Sequence, residues 1–464
     1  MKKSYITRTL IVVSFLTIGF LINSCTKGFL DAKPSTAIVT PTSLSDFQQL
    51  LDYTLTNKTS SLPQLSCDDY YFINDTAYQA GSPTEQNAYV WNKDLFGGQV
   101  ARPDWNSPYL SVFYANSAIS GLNSLKVSPT DQAQYNDILG QAYFMRAFAF
   151  FDLVKNFSPV YDDATASTDL GIPLKLNPNV NENEPRSTVK QTYNQIISDL
   201  GTACRLLSPN LPAQNLNRAS KPSAFGLFAR LYLSMRKYPQ AELYADSALA
   251  LYNTLIDYNT ISKTSHVPFT RTNAESLFYS TYAGGYNVPV YNSADNINID
   301  TTLLASYAPN DLRRSIFFIT NSSTGLIKAK IGYSAGGNTF SGLATDEIYL
   351  IKAECAARRQ DSQTALQYLN ALLVNRFTTG TYIPYTTATA NILSTILLER
   401  RKELVWRAGL RWDDLRRLNK EGANITLTRV LNGVTYTLPP NSPLYVFPIP
   451  DDEIALSRIQ QNIR

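Results

Sequence analysis

Alanines recur at a fixed interval in two helical stretches of this chain, and that interval limits the folds open to it. Ala229 and Ala241 stand twelve apart, and so do Ala353 and Ala365. In the first stretch, Ser223 to Leu249, Tyr232, Tyr238, Ala245 and Ala248 complete the pattern around a turn at Lys237–Pro239. Small residues at such positions let two helices cross closely, as in a tetratricopeptide-like helix pair. The second stretch repeats the arrangement over Asp346–Arg359 and Asp361–Phe377. The pattern predicts a mostly α fold, a helix-pair scaffold carrying long loops and a few short strands.

Other segments agree. Tyr135–Asn156 is apolar almost all round from Ala142 to Val154, which predicts a central buried helix. Tyr193, Ile196, Ile197 and Leu200 keep one face of a helix opening near Thr188. A helix is expected near Ser45–Leu55, with Asp46 near its cap. Residues 67–107 and 254–343 lack helical periodicity and read as loop insertions with short strands. Ile327–Ile331 reads as one strand, and Asn432-Gly433 as the turn of a hairpin.

Leu398–Leu418 interleaves Glu399, Glu403, Asp413 and Asp414 with basic residues. That balance excludes a nucleic-acid face, which needs unpaired cations. The run reads as a helical brace, with Glu399–Lys402 and Glu403–Arg407 pairs on one face and a break at Gly409. Net charge is +4, and Lys2, Lys3 and Arg8 supply three of those four charges in a leader free of acids. No electrostatic partner is implied.

Lys2 and Lys3 precede an apolar run, Leu10–Ile22, of signal-peptide length. The junction Ser24-Cys25 resembles a bacterial lipobox, so residues 1–24 read as a signal peptide and Cys25 as the lipidated terminus of a single mature domain, 25–464. Cys67, Cys204 and Cys355 fit no zinc spacing, and Cys204 and Cys355 read as buried apolar residues. One histidine, His266, stands in a polar loop. No phosphate loop, His-Glu-x-x-His or Gly-x-Ser-x-Gly motif is present, so no catalytic residue, metal or cofactor is assigned.

Glu399-Arg400, Glu403-Leu404, Gly409, Arg411-Trp412, Asp414-Leu415 and Arg417 resemble the C-terminal signature of the SusD/RagB family. Cys25 followed by Phe29-Leu30-Asp31, Arg146-Ala147 followed by aromatics, and the end from Tyr445 to Ile454 resemble that family too. Many members carry Phe-Glu-Gly before the arginine, where this chain has Trp406-Arg407-Ala408-Gly409. The resemblance implies about four helix pairs, an outer-membrane lipoprotein exposed at the cell surface, and delivery of a captured nutrient to a TonB-dependent porin.

The ligand expected on that basis is an oligosaccharide, with a peptide or an assembly-adaptor role as alternatives. Aromatic rings cover the C–H faces of sugars, while amides and carboxylates bond their hydroxyls. The expected contacts are Asp68, Asp69, Tyr70 and Trp91 in the first loop region and Tyr282, Tyr286 and Asn287 in the second, brought by folding onto one face.

Overall fold

The computed structural model describes residues 41–53, 57–213, 216–288 and 295–464. The expected signal peptide, residues 1–24, and the expected lipidation site, Cys25, lie outside the described residues.

The longest of the described helices, Gln132–Phe157, is buried from Ile138 to its end at every position but Tyr143. It packs against Pro103–Ser124 on one side and Val189–Leu206 on the other. Val189–Leu206 begins at Thr188, whose hydroxyl accepts from the Gln191 amide while the Gln191 side chain returns to Thr188 N, a capping box. Ser43 and Asp46 cap Leu44–Leu51 in the same way.

The two alanine-spaced stretches are helix pairs. Lys221–Ser234 packs on Tyr238–Leu251, and Thr345–Arg358 packs on Ser362–Leu373. Ala229, Ala241, Ala353 and Ala365 are fully buried at these crossings. Tyr238–Leu251 also packs on Thr345–Arg358, so the pairs continue as one row, and Ile392–Glu403 closes it. Cys355 is buried in that row, as expected, and Cys204 is half-buried. Residues 43–464 form one compact unit.

The strands are short two-stranded pieces. Asn432 and Gly433 have φ of +49° and +73°, the left-handed pair a tight hairpin needs between Leu427–Leu431 and Val434–Leu438. The loop insertions hold helices that periodicity did not reveal. Asp75–Gln79 and Pro83–Tyr89 lie in the first, and Thr301–Ala305 and Arg313–Phe317 in the second. Each is too short to show a helical repeat. Capping gives Pro83–Tyr89 away: Ser82 and Glu85 form a capping box.

The Leu398–Leu418 brace differs from its expected form. The helix Ile392–Glu403 stops at Glu403, and the next, Leu410–Lys420, starts after Gly409. Between them Trp406, Ala408 and Gly409 all take left-handed φ, at +58°, +54° and +65°. Glu399 does pair with Lys402, at 2.9 Å. Glu403 does not pair with Arg407, because the helix has already ended. Glu403 binds Arg376 and Arg313, while Arg407 turns to Asp346.

Among the described residues no helix is long and apolar enough to cross a membrane.

Candidate functional site

The two loop insertions meet through backbone pairing. Tyr70–Phe72 runs antiparallel to Ile297–Ile299, with Tyr70 opposite Ile299. Lys58–Thr59 runs parallel to Thr281–Tyr282. Glu85 Oε1 accepts from the amides of Asn287 and Val288, at 2.6 and 3.0 Å. The regions around Trp91 and Tyr282 are thus brought together as expected.

The rings themselves are not presented to a ligand. Tyr70, Trp91, Tyr282 and Tyr286 are only 3, 3, 1 and 5 % exposed. The Tyr70 hydroxyl donates to Leu65 O at 2.8 Å, and Trp91 Nε1 donates to Ser66 O at 3.0 Å. The Arg429 guanidinium lies over Tyr89, 3.6 Å from its centroid, and within 5.2 Å of the Tyr70 and Trp91 rings. Tyr70 and Trp91 brace the first loop region against the Leu427–Leu431 hairpin through Arg429. Pairing with Ile297–Ile299 turns Tyr70 inward, while Trp91, outside any strand, is held by Ser66 O and Tyr286 by the buried Asp104 carboxylate.

The aspartates are engaged as well. Asp68 takes Arg411 Nε at 2.7 Å and Arg401 Nη2 at 3.1 Å. Burial would raise its carboxyl, yet the two guanidiniums hold it below the usual carboxylate range. Asp69 is buried, and both burial and the neighbouring Asp68 charge push its carboxyl up. Trp105, read as structural, is buried, and His266 is exposed.

Where the insertions meet the turn after Glu403, they leave a cleft. About 80 Å³ of it is open to the centre of a water molecule, inside a wider envelope of about 1080 Å³ that takes in the open mouth. Phe72, Ile297, Phe317, Phe318, Phe340 and Val405 supply apolar walls. Trp406 is half-buried there, its ring edge-on to Tyr70 at 5.7 Å. Asn287 and Asn296 line the same space, and among the described residues neither amide side chain has a hydrogen-bond partner. Asn287 is thus the one expected contact that reaches the cleft. Apolar walls with a few polar groups are the usual composition of a small-molecule site.

The left-handed backbone at Trp406 is costly for a residue with a bulky side chain. Buried ion pairs hold it. Arg407, the next residue, donates to Asp346 Oδ1 at 2.8 Å and lies over the Tyr333 ring at 4.3 Å. Glu275, Asp346 and Glu403 lie within 4.8 Å of one another, a spacing that suits a metal ion. Arg376, Arg313 and Arg407 already hold these carboxylates. The protein thus supplies its own compensating cations.

Sequence reasoning missed Trp406, Phe317 and Asn296. Trp406 sits inside the brace signature, where a continuous helix was expected. The available signal was Ala408-Gly409 just after it, a place where helices end.

Residues 28–233 match a SusD-like family described as starch-binding associating with outer membrane, and residues 345–463 match the SusD family. No curated protein matches the chain. Among solved structures, a SusD superfamily protein from Bacteroides thetaiotaomicron is 25 % identical, with a TM-score of 0.74 over 91 % of this chain and 100 % of its own. Surface glycan-binding protein A from Bacteroides fluxus is 18 % identical, with a TM-score of 0.67 over 91 % of this chain and 99 % of its own. A SusD-like carbohydrate binding protein from Bacteroides vulgatus is 19 % identical, with a TM-score of 0.66 over 90 % of this chain and 97 % of its own.

Proposed function

The chain belongs to the SusD/RagB family, and from that premise we propose that it captures a glycan at the cleft beside Trp406. The observation that carries this reading is the Trp406 ring, half-buried in an apolar cleft on a left-handed backbone, with the unpartnered amides of Asn287 and Asn296 lining the same space. A sugar ring lays its C–H face on the indole. The amides, each both donor and acceptor, take its hydroxyls. The neighbours described as glycan- and carbohydrate-binding proteins support the same ligand class.

The lipid anchor at Cys25 holds the protein to the outer membrane on this reading, facing the outside. A TonB-dependent porin then receives the captured glycan. The protein itself performs no chemistry on it.

The test is affinity electrophoresis over a panel of polysaccharides, with wild type and Trp406→Ala run side by side and thermal stability followed in parallel. Retention by wild type and its loss in a folded Trp406→Ala protein support the site. Full retention in that variant moves the site elsewhere. A wild type that binds peptides and no glycan replaces the ligand class.

A further inference from the structure

We infer that Asp68 is a positioning residue for the cleft: its carboxylate locks the first loop region onto the turn that carries Trp406 and so fixes where the indole stands. The inference rests on the reading of Trp406 as the glycan contact. Arg411 grips Asp68 with two donors, Nε at 2.7 Å and Nη2 at 2.8 Å, and Arg401 Nη2 adds a third at 3.1 Å. Arg401 lies on the helix that ends before the turn, and Arg411 on the helix that begins after it. The two residues that follow Asp68 touch Trp406 itself. Asp69 Oδ2 accepts from the Trp406 amide at 3.5 Å, and the Tyr70 ring meets the indole edge-on.

Such a grip matters because the turn is strained. A left-handed tryptophan persists only where its surroundings over-determine it. Arg407 anchors the turn from the scaffold side, through Asp346. Asp68 anchors it from the loop side. A two-pronged guanidinium–carboxylate pair is directional as well as strong, so it sets position and not only proximity. The helices do not need Asp68 to stay together, since Arg400 and Asp414 join them directly at 2.9 Å. Asp68 and Arg401 are also only partly buried, with side chains 26 and 21 % exposed. Their loss therefore frees the cleft wall without opening the core. A binding group on a strained turn takes its orientation from supporting contacts of this kind.

The experiment compares wild type with Asp68→Asn, which keeps the shape and removes the charge, and with Arg401→Gln, which cuts one arm and leaves Arg411 in place. Thermal denaturation follows folding. Acrylamide quenching without ligand reads the exposure of Trp406, the half-buried tryptophan among four. Asp68→Asn is expected to raise the quenching constant, and the rise should vanish in Asp68→Asn/Trp406→Phe. Retention on whichever of soluble amylopectin, galactomannan and xyloglucan the wild type prefers should weaken about tenfold, the lower end of what losing a supporting partner costs. Arg401→Gln should move both readings the same way by less, and it decides the matter if Asp68→Asn does not fold. An unchanged quenching constant in the folded variant overturns the inference. So does a rise that persists without Trp406, which marks a general loosening, and so does a raised constant with full retention. Retention of no polysaccharide by wild type overturns the glycan reading, and quenching alone then decides whether Asp68 sets the ring.

Discussion

Tyr286 donates its hydroxyl to Asp104 Oδ2 at 2.6 Å, tying the second loop insertion to the helix that follows the first. The other oxygen of that carboxylate accepts the Ser60 hydroxyl and the Ser61 amide, at 2.8 and 2.7 Å. Asp104 is fully buried, so each donor is needed. Tyr286→Phe leaves a buried acceptor short of a partner and should cost about 1.5–3 kcal/mol. Chemical denaturation reads that loss, while glycan retention per folded molecule stays at the wild-type level. Unchanged stability with lost retention would make Tyr286 a ligand contact instead of a brace.

Glu403 joins two guanidiniums in a buried site. Its Oε1 lies 2.8 Å from Arg376 Nε and its Oε2 3.1 Å from Arg313 Nη1, and all three side chains are completely buried. Glu403→Gln keeps the shape and removes the charge. Breaking such a buried network should cost about 3–5 kcal/mol, visible as a large drop in the urea midpoint. A change within about 0.5 kcal/mol, the range of an ordinary surface substitution, would mean that Glu275, which also pairs with Arg376, and Asp311 and Glu399, which also pair with Arg313, suffice without it.

Burial pushes Asp152 up to about 7, against the pull of Lys155 beside it. An unfolded aspartate titrates near 4. Between those values the folded state keeps a proton that the unfolded state has released. Stability from this group therefore falls as pH rises through that window, by up to about 1.4 kcal/mol per pH unit, and is level above it. In Asp152→Asn the slope disappears. Denaturation midpoints of the two proteins across pH 4 to 8 should converge or cross; parallel curves would contradict the assignment.

Cys25 follows Ser24 directly after the apolar leader. Fatty-acid labelling of cells expressing the full chain should mark the wild type and leave Cys25→Ala unlabelled. Label retained in the variant would remove the lipid anchor from the account.

The scaffold was legible because its information is local. A helix shows its buried face every third or fourth residue, and Ala229 and Ala241 mark a close crossing within one short stretch. The cleft was not, because its walls are set by pairings far apart in sequence. Tyr70 sits opposite Ile299, and that register turns its ring inward, while Trp91 is drawn in by Ser66 O, which accepts from its Nε1; sequence alone left both rings free. Asn287 reaches the cleft because Glu85 holds its backbone amide, a contact that no local pattern encodes. Trp406 was hidden for a different reason. Its place depends on three left-handed residues within four positions, and only Gly409 among them favours that conformation by type.

The chain has four tryptophans, and this sets up the most direct test. Trp91, Trp105 and Trp412 are 3, 2 and 0 % exposed, whereas Trp406 is half-buried and lines the cleft. Acrylamide quenching of intrinsic fluorescence therefore reports Trp406 almost alone. Titrating the preferred polysaccharide into wild type should shield that ring and reduce the quenching constant, with half of the full change at the concentration that gives half-retention. Trp406→Phe should show weak quenching and no change on titration. A polysaccharide that binds wild type tightly while leaving its quenching unaltered would contradict the cleft as the glycan site.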